Sequence, residues 1–186
     1  MSFAPHAPTV ETPDLILRGY QEGDFEAFAA FGTSERARHV GGPHTRWESW
    51  RAFMAGVGHW VMRGYGMWII EHRETETVAG RVGILMNDGW AEPELGWHIY
   101  DGFEGKSLAY QACLAARGYA AQHFGLNGVI SYIHADNTRS IALAHRLGAF
   151  FECETSVLGQ DCFLYRHPQE ILSKPAPLDT KGTPDD

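Results

Sequence analysis

The sequence predicts one mixed α+β domain built on a mostly antiparallel β-sheet. Its 186 residues, 44% hydrophobic and 20% charged, suffice for one well-buried core and are too few for two comfortable domains. Seven short runs rich in β-branched and aromatic residues alternate with turn residues, which is typical of strands. Four other segments carry helical signals, so we expect about seven strands flanked by about four helices.

The predicted domain covers residues 14–167. Residues 1–13 are rich in proline and show no periodicity, which is typical of a flexible leader. Beyond Pro168 the chain loses aromatic residues and gains prolines, so residues 168–186 are predicted to form a disordered tail.

Two helices are predicted in the first third of the chain. Asp24 is an N-cap candidate for the first helix, and Gly32 is placed to end it. Thr45 and Glu48 fit a capping box for the second helix, which should end near Arg63. Apolar residues at three- and four-residue steps predict one buried stripe on this second helix: Trp47, Trp50, Phe53, Met54, Val57 and Val61.

The remaining elements follow from short apolar runs and from two proline-free segments. Helices are predicted from about residue 106 to 124 and from 137 to 147. Gly80 and Gly83 lie inside a predicted strand and indicate a β-bulge or a close backbone approach. The predicted strands are residues 15–20, 66–71, 77–85, 94–100, 129–134, 151–157 and 161–166.

The charge balance and the first residues of the sequence argue against several functional classes. Fifteen basic and twenty-three acidic residues give a formal charge of −8, which argues against nucleic-acid binding and is compatible with a basic substrate. Residues 1–10 lack the pattern of a signal peptide, and no segment approaches the ~20 apolar residues of a membrane span. Three cysteines without metal-type or redox-pair spacing indicate reduced thiols. We therefore predict a cytoplasmic protein without a membrane partner.

The segment 94–124 reads as a strand, a glycine loop and a helix. Backbone N–H groups at the start of a helix are unpaired and converge where the helix dipole favours negative charge, so such a loop suits a phosphate or pyrophosphate. An ordinary strand-to-helix turn would look the same from this segment alone.

Three motifs occur in a fixed order: GFEGKS at 102–107, NTRS at 137–140 and LGAF at 147–150. They resemble the GNAT superfamily of acyl-CoA-dependent N-acetyltransferases, and within it the RimJ/RimL-like branch that acetylates ribosomal-protein N-termini. The resemblance covers residues 12–167. In that family the loop reads Gln/Arg-x-x-Gly-x-Gly/Ala, so Gly105 matches the central glycine, whereas Gly102 and Ser107 depart from the pattern.

The resemblance implies acetyl-CoA as the acyl donor, an amine as the acceptor, and no metal. In the family, the strand before the loop splays from its neighbour to admit the pantetheine arm, and a backbone N–H of that strand polarises the thioester carbonyl. The implied coenzyme-binding residues are Trp97, His98, Ile99, Tyr100, Phe103, Glu104, Gly105, Lys106, Ser107, Leu108, Asn137 and Ser140.

A general base must take a proton from the amine. Glu94 is the first candidate, because it opens the strand beside the loop, where family members often carry a carboxylate. Glu92 and His98 are the next candidates, and His134 at the end of the fifth predicted strand is another. The alternative for each is a solvated carboxylate or a packed ring, since one sequence does not show which faces converge.

The departing thiolate also needs a partner. Many superfamily members place a tyrosine seven residues after the asparagine, where this chain has Ala144. The ribosomal-protein branch has serine three residues after it, and Ser140 matches, so Ser140 is implied as a hydrogen-bond donor to the sulfur. Asn137 would bind pantetheine, hold Ser140 or cap its helix, and the Ser107 hydroxyl fits a cap of the long helix.

Acetyl transfer by direct attack in a ternary complex is the function that the resemblance implies. The alternatives are a coenzyme-binding module that has lost catalysis and an ordinary α/β protein. The acceptor is open among protein N-termini, amino acids, polyamines and antibiotics, and so is the oligomeric state, a homodimer included. Candidates on the acceptor side are His39, His44, Arg46, Trp47, Trp50 and His59, although the tryptophans also fit simple packing on the sheet.

Overall fold

Within the described residues 7–171, the chain forms one eight-stranded sheet with four α-helices. The computed structural model describes residues 7–171. The strands are β1 (Val10–Glu11), β2 (Leu15–Arg18), β3 (Met67–His72), β4 (Thr77–Leu85), β5 (Glu94–Ile99), β6 (Ile130–Ile133), β7 (Phe150–Val157) and β8 (Gln160–Arg166). The helices are α1 (Phe25–Gly32), α2 (Arg46–Arg63), α3 (Leu108–Phe124) and α4 (Thr138–Arg146), with 3-10 turns at Glu22–Asp24 and Glu35–Val40.

The strand order is β1-β2-β3-β4-β5-β6-β8-β7, and every neighbouring pair is antiparallel except β5 and β6. This confirms the predicted α+β class and the mostly antiparallel sheet. The additional strand is β1, which pairs with β2 through Val10 and Glu11. Two residues are too few to give a strand pattern, so this edge strand was missed inside the predicted leader. Predictions for residues 1–6 and 172–186 lie outside the described residues.

Helix α2 confirms the capping box but not the buried stripe. The Thr45 hydroxyl accepts from the Glu48 N–H at 3.2 Å, as predicted. The buried face instead consists of Ser49, Phe53, Gly56 and Trp60, whereas Trp47, Met54 and Val61, spaced seven residues apart, are exposed. The small residues decide which face turns inward: a Cβ at Gly56 would lie 2.5 Å from the Tyr20 hydroxyl. The predicted stripe is therefore right at Phe53, which is buried, and wrong at its three exposed members.

Asp24 stands at the N-cap position of α1 without a side-chain capping bond. Its buried carboxylate accepts hydrogen bonds from Arg18 Nη1 at 2.9 Å and Nη2 at 2.8 Å, and from the Gln21 N–H at 2.7 Å. A charge-assisted bidentate pair is stronger than a capping bond, so the ion pair determines the position of this side chain.

The main core lies between the sheet and α3. Ala112, Ala116 and Ala120 of α3 are fully buried, and their small side chains allow the helix to lie close to Trp68 and Leu95 of the sheet. A second apolar cluster joins α1 and α2 through Phe25, Phe28, Ala29 and Phe53. The first cluster therefore holds α3 on the sheet, and the second holds α1 against α2.

Among residues 7–171, strand β5 is fully paired on one side and almost unpaired on the other. It pairs with β4 at all six of its residues, from Glu94 to Ile99. Its only registered pair with β6 is Glu94 with Ile130. The two parallel strands therefore separate beyond Glu94, and this opening positions the candidate site.

The predicted close approach at Gly80 and Gly83 is confirmed. A Cβ at Gly80 would lie 2.1 Å from the His98 carbonyl oxygen, and one at Gly83 would lie 2.2 Å from the Gly66 carbonyl oxygen. The predicted irregularity is also present, because Ile70 pairs with Gly80 whereas Glu71 pairs with Val78.

We expect Gly80→Ala to lower the free energy of unfolding by about 1–3 kcal/mol or more, because the new methyl group displaces the backbone of β5. The control is Gly58→Ala on α2, where a Cβ meets nothing within 4 Å. That change should stabilise by about 0.5–1 kcal/mol, as expected for alanine replacing glycine inside a helix. Urea unfolding measures both, and equal stability of the two variants would contradict the close approach.

Candidate active site

A cavity of about 570 Å³ lies at the opening between β5 and β6. Its walls come from β5, the loop that follows, the first turn of α3, one side of α4 from Thr138 to Arg146, the end of α1 and the 3-10 turn Glu35–Val40. Ten of the predicted site residues line it: Trp97, His98, Ile99, Phe103, Glu104, Gly105, Ser107, Leu108, Asn137 and Ser140. Four do not line it: Glu94, Tyr100, Lys106 and His134.

The loop before α3 has the backbone of an anion site. Gly102, Gly105 and Ser107 have φ values of 86°, 75° and 61°, so the chain takes left-handed turns here. Within residues 7–171, the backbone N–H groups of 104–108 have no hydrogen-bond partner in the protein. The Phe103 N–H differs, because it donates to the Tyr100 carbonyl at 3.2 Å. The free N–H groups thus begin one residue later than predicted.

Ser107 does not cap α3 with its hydroxyl, contrary to the prediction. A left-handed backbone at this position does not direct the side chain at the helix N–H groups, and Arg146 Nη1 donates to the Ser107 Oγ at 3.1 Å instead. The Arg146 guanidinium also lies 4.2 Å from the ring centre of Tyr110. Arg146 and Arg139 both line the cavity, so positive charge adjoins the free N–H groups.

Arg36 is a site residue that sequence reasoning missed. It projects from the 3-10 turn, donates to the Ile99 carbonyl at 2.9 Å and pairs with Glu104 at 2.6 Å and with Asp101. One guanidinium thereby ties the acceptor-side segment to the end of β5 and to the glycine loop. No local pattern marks this residue, because its three partners lie more than 60 residues away along the chain.

Asn137 caps α4, which confirms the structural role considered for it. Its Oδ1 accepts from the Ser140 N–H at 3.2 Å, so it also holds the backbone of Ser140. Ala144 is fully buried with Ile133 and Tyr165, away from the cavity lining. Two residues of the NTRS motif that carry a hydroxyl line the described cavity, Thr138 and Ser140, and Ser140 is the one that the resemblance implies.

Glu94 lies where β5 and β6 meet. Its Oε1 accepts from the Tyr132 N–H at 3.1 Å, across the two strands. Removal of the carboxylate from water raises the pKa of Glu94 to about 8, and the Tyr132 bond opposes this only in part. The group therefore titrates near neutral pH, which is a property of general bases.

His98 lines the cavity but is held as a neutral ring. Arg81 Nε donates to His98 Nδ1 at 2.9 Å, which places the ring proton on Nε2. Burial and the nearby Arg81 charge keep the pKa of His98 well below its usual value. Phe31 covers the ring at a centroid distance of 5.3 Å. This histidine is equipped to donate a hydrogen bond from Nε2 rather than to accept a proton.

Of the candidates predicted on the acceptor side, the structure places one at the cavity and the others away from it. His39 lines the cavity, whereas Arg46 pairs with Glu26 at 2.5 Å and His59 Nδ1 lies 2.7 Å from the Tyr65 carbonyl oxygen. The remaining members, which do not line the cavity either, are His44, Trp47 and Trp50. Five cavity residues that no motif indicated come from α1 and the 3-10 turn: Phe31, Glu35, Arg36, Arg38 and Val40.

Comparison with known proteins defines the class. The acetyltransferase (GNAT) domain family matches residues 14–149, and the chain belongs to this family. It is an acyl-CoA-dependent acetyltransferase. A crystal structure of an acetyltransferase from Agrobacterium tumefaciens str. C58 is 33% identical, with a TM-score of 0.81 over 88% of this chain and 95% of that one.

Two more distant structures share the fold. RimL, a ribosomal L7/L12 alpha-N-protein acetyltransferase solved with coenzyme A, is 17% identical, with a TM-score of 0.72 over 87% of this chain and 98% of that chain. A putative ribosomal-protein-serine acetyltransferase from Vibrio cholerae is 20% identical, with a TM-score of 0.71 over 86% and 96%. Among the helices of residues 7–171, none is long and apolar enough to cross a membrane.

Proposed function

We propose that the protein transfers an acetyl group from acetyl-CoA to a primary amine, by direct attack of the amine in a ternary complex. The observation that carries this proposal is the cavity between the separated ends of β5 and β6, which opens beside a loop with free backbone N–H groups. The acceptor is a protein N-terminus or a small-molecule amine.

The coenzyme side of the cavity fits a phosphorylated ligand. We assign the pyrophosphate to the N–H groups of 104–108, where the dipole of α3 and the charges of Arg139 and Arg146 favour an anion. The thioester arm is assigned to the unpaired edge of β5 at Trp97–Ile99, whose backbone N–H groups can polarise its carbonyl.

Glu94 is the preferred general base. Its raised pKa and its position at the junction of the two strands support this assignment, and proton transfer would pass through water, because its side chain does not line the cavity. His98 is less suited, since Arg81 occupies its Nδ1 and Nε2 already carries a proton. Glu92 is bound by Arg166 at 2.8 Å, which lowers its pKa and weakens it as a base.

Ser140 is assigned to the departing thiolate. A general acid contributes ~10²-fold or more, whereas a neutral hydrogen bond contributes about 0.5–1.5 kcal/mol, roughly tenfold at most. We expect Ser140→Ala to lower the rate of the chemical step by an amount between these bounds and to leave acetyl-CoA affinity nearly unchanged. Ser140→Thr, which keeps a hydroxyl, is the matched control, and single-turnover kinetics measure both. Full turnover in Ser140→Ala would leave protonation to solvent.

Turnover with an amine acceptor distinguishes an active enzyme from a coenzyme-binding module that has lost catalysis. RimL and the Vibrio cholerae protein are named for ribosomal-protein acceptors, which makes peptides with free N-termini the first acceptors to test. A screen of such peptides, amino acids and polyamines, read out as free CoA thiol, tests the proposal. Acetyl-CoA binding without turnover on any amine would favour the binding module.

A further inference from the structure

Two histidines and an aspartate converge at the rim of the cavity. His39 comes from the 3-10 turn, His134 follows β6, and Asp136 precedes α4. The Nδ1 atoms of His39 and His134 lie 3.1 Å and 2.6 Å from the same Asp136 Oδ1. One ligand atom from each residue lies within 4.8 Å of the other two. Three chain segments thus bring two imidazoles and a carboxylate to one point.

The two distances to Asp136 Oδ1 are close to the ligand spacing of a metal site. Tetrahedral coordination with metal–ligand bonds of about 2.0–2.1 Å places neighbouring ligand atoms about 3.3 Å apart. The distance from His39 Nδ1 to Asp136 already fits. The His134 pair must widen by roughly 0.7 Å to reach that spacing, and both side chains are solvent-accessible, 41% for His134 and 63% for Asp136. That accessibility also lets water complete the coordination.

We propose that His39, His134 and Asp136 bind a divalent transition-metal ion such as Zn²⁺ through the two Nδ1 atoms and Asp136 Oδ1. Imidazole ligands favour Zn²⁺ and related ions, whereas Mg²⁺ and Ca²⁺ prefer oxygen ligands. The assignment is independent of acetyl transfer. It also gives His134 a ligand's role instead of the base's role predicted from the sequence.

Arg38 disfavours metal binding at this site, and its removal therefore tests the proposal. Its Nε donates to His39 Nε2 at 3.0 Å, so His39 carries its own proton on Nδ1 in this arrangement. Ligation through Nδ1 requires the proton to move to Nε2, and the Arg38 bond must then break. Removing Arg38 also removes a positive charge beside the ion. Arg38→Ala should therefore bind the metal more tightly than the wild type.

Isothermal titration of untagged, chelator-treated protein with Zn²⁺, in excess Mg²⁺, tests the proposal. We expect one Zn²⁺ per chain, a loss of affinity of at least roughly tenfold in His39→Ala, His134→Ala and Asp136→Ala, and tighter binding in Arg38→Ala. His123→Ala, at an exposed histidine of α3, is the control and should bind as the wild type does. Circular dichroism verifies that each variant is folded.

Three outcomes would contradict the proposed metal site or its ligand atoms. Absence of Zn²⁺ binding at micromolar concentrations, or equal affinity in the wild type and the two histidine variants, would overturn the site. In the second case the exposed Cys153 or another surface group would be the ligand. An Arg38→Ala protein that binds no more tightly than the wild type would contradict ligation through His39 Nδ1.

Discussion

Gly105→Pro and Gly105→Val should abolish acetyl-CoA binding while leaving the protein folded. Gly105 has a φ of 75°, which proline cannot adopt and which strains a β-branched residue. Relaxing that strain rotates the neighbouring peptide groups, so the N–H groups of 104–108 would no longer converge on one anion. The fold should persist, because Gly105 is exposed and a Cβ there meets no atom of residues 7–171 within 4 Å. Isothermal titration with acetyl-CoA measures the loss.

Gly159→Val is the matched control for this experiment. Gly159 has a φ of 77°, is exposed and has no described atom within 4 Å of an added Cβ, but it lies in the turn between β7 and β8. Both valine variants therefore carry the same local strain, and only one carries it in the loop. Wild-type affinity in a folded Gly105→Val protein would show that the loop does not hold the pyrophosphate.

Local patterns were sufficient where a single segment determines the outcome. The capping box of Thr45 and Glu48 and the N-cap of Asn137 each depend on atoms within one helical turn, and both are present. Strand β4 and its glycines also follow from local signals, because only glycine permits a backbone approach as close as that at Gly80. The resemblance of three motifs to one superfamily then gave the fold and the enzyme class.

Contacts between distant segments were beyond such patterns. Arg36 reaches the loop only because the 3-10 turn lies over the end of β5, 63 residues further along the chain. The burial that raises the pKa of Glu94 is likewise a property of the assembled sheet. Sequence could identify this carboxylate as a candidate base, but it could not predict the environment that tunes it.

Glu94→Gln should lower kcat/KM near neutral pH by ~10²–10⁴-fold, the usual contribution of a general base. Glutamine keeps an oxygen that can accept from the Tyr132 N–H, so the strand junction should survive. With a pKa of about 8, only about a tenth of Glu94 is ionised at pH 7, and the wild-type rate should rise until the pH passes 8. The variant should lose less at high pH, where more of the amine is already neutral.

Two acceptors with different amine pKa values separate the enzyme's titration from the substrate's. An inflection near pH 8 that stays fixed between acceptors and disappears in Glu94→Gln belongs to Glu94, whereas one that moves with the acceptor belongs to the amine.

The pH dependence of protein stability gives an independent check of the Glu94 pKa. Because folding raises the pKa of Glu94, the native state binds more protons than the unfolded state between the two pKa values, and stability falls as the pH rises through this range. Glutamine does not titrate, so Glu94→Gln lacks this loss of stability. The melting temperature of Glu94→Gln minus that of the wild type should therefore be larger at pH 9 than at pH 5. A pH–rate profile identical to that of the wild type would exclude Glu94 as the base.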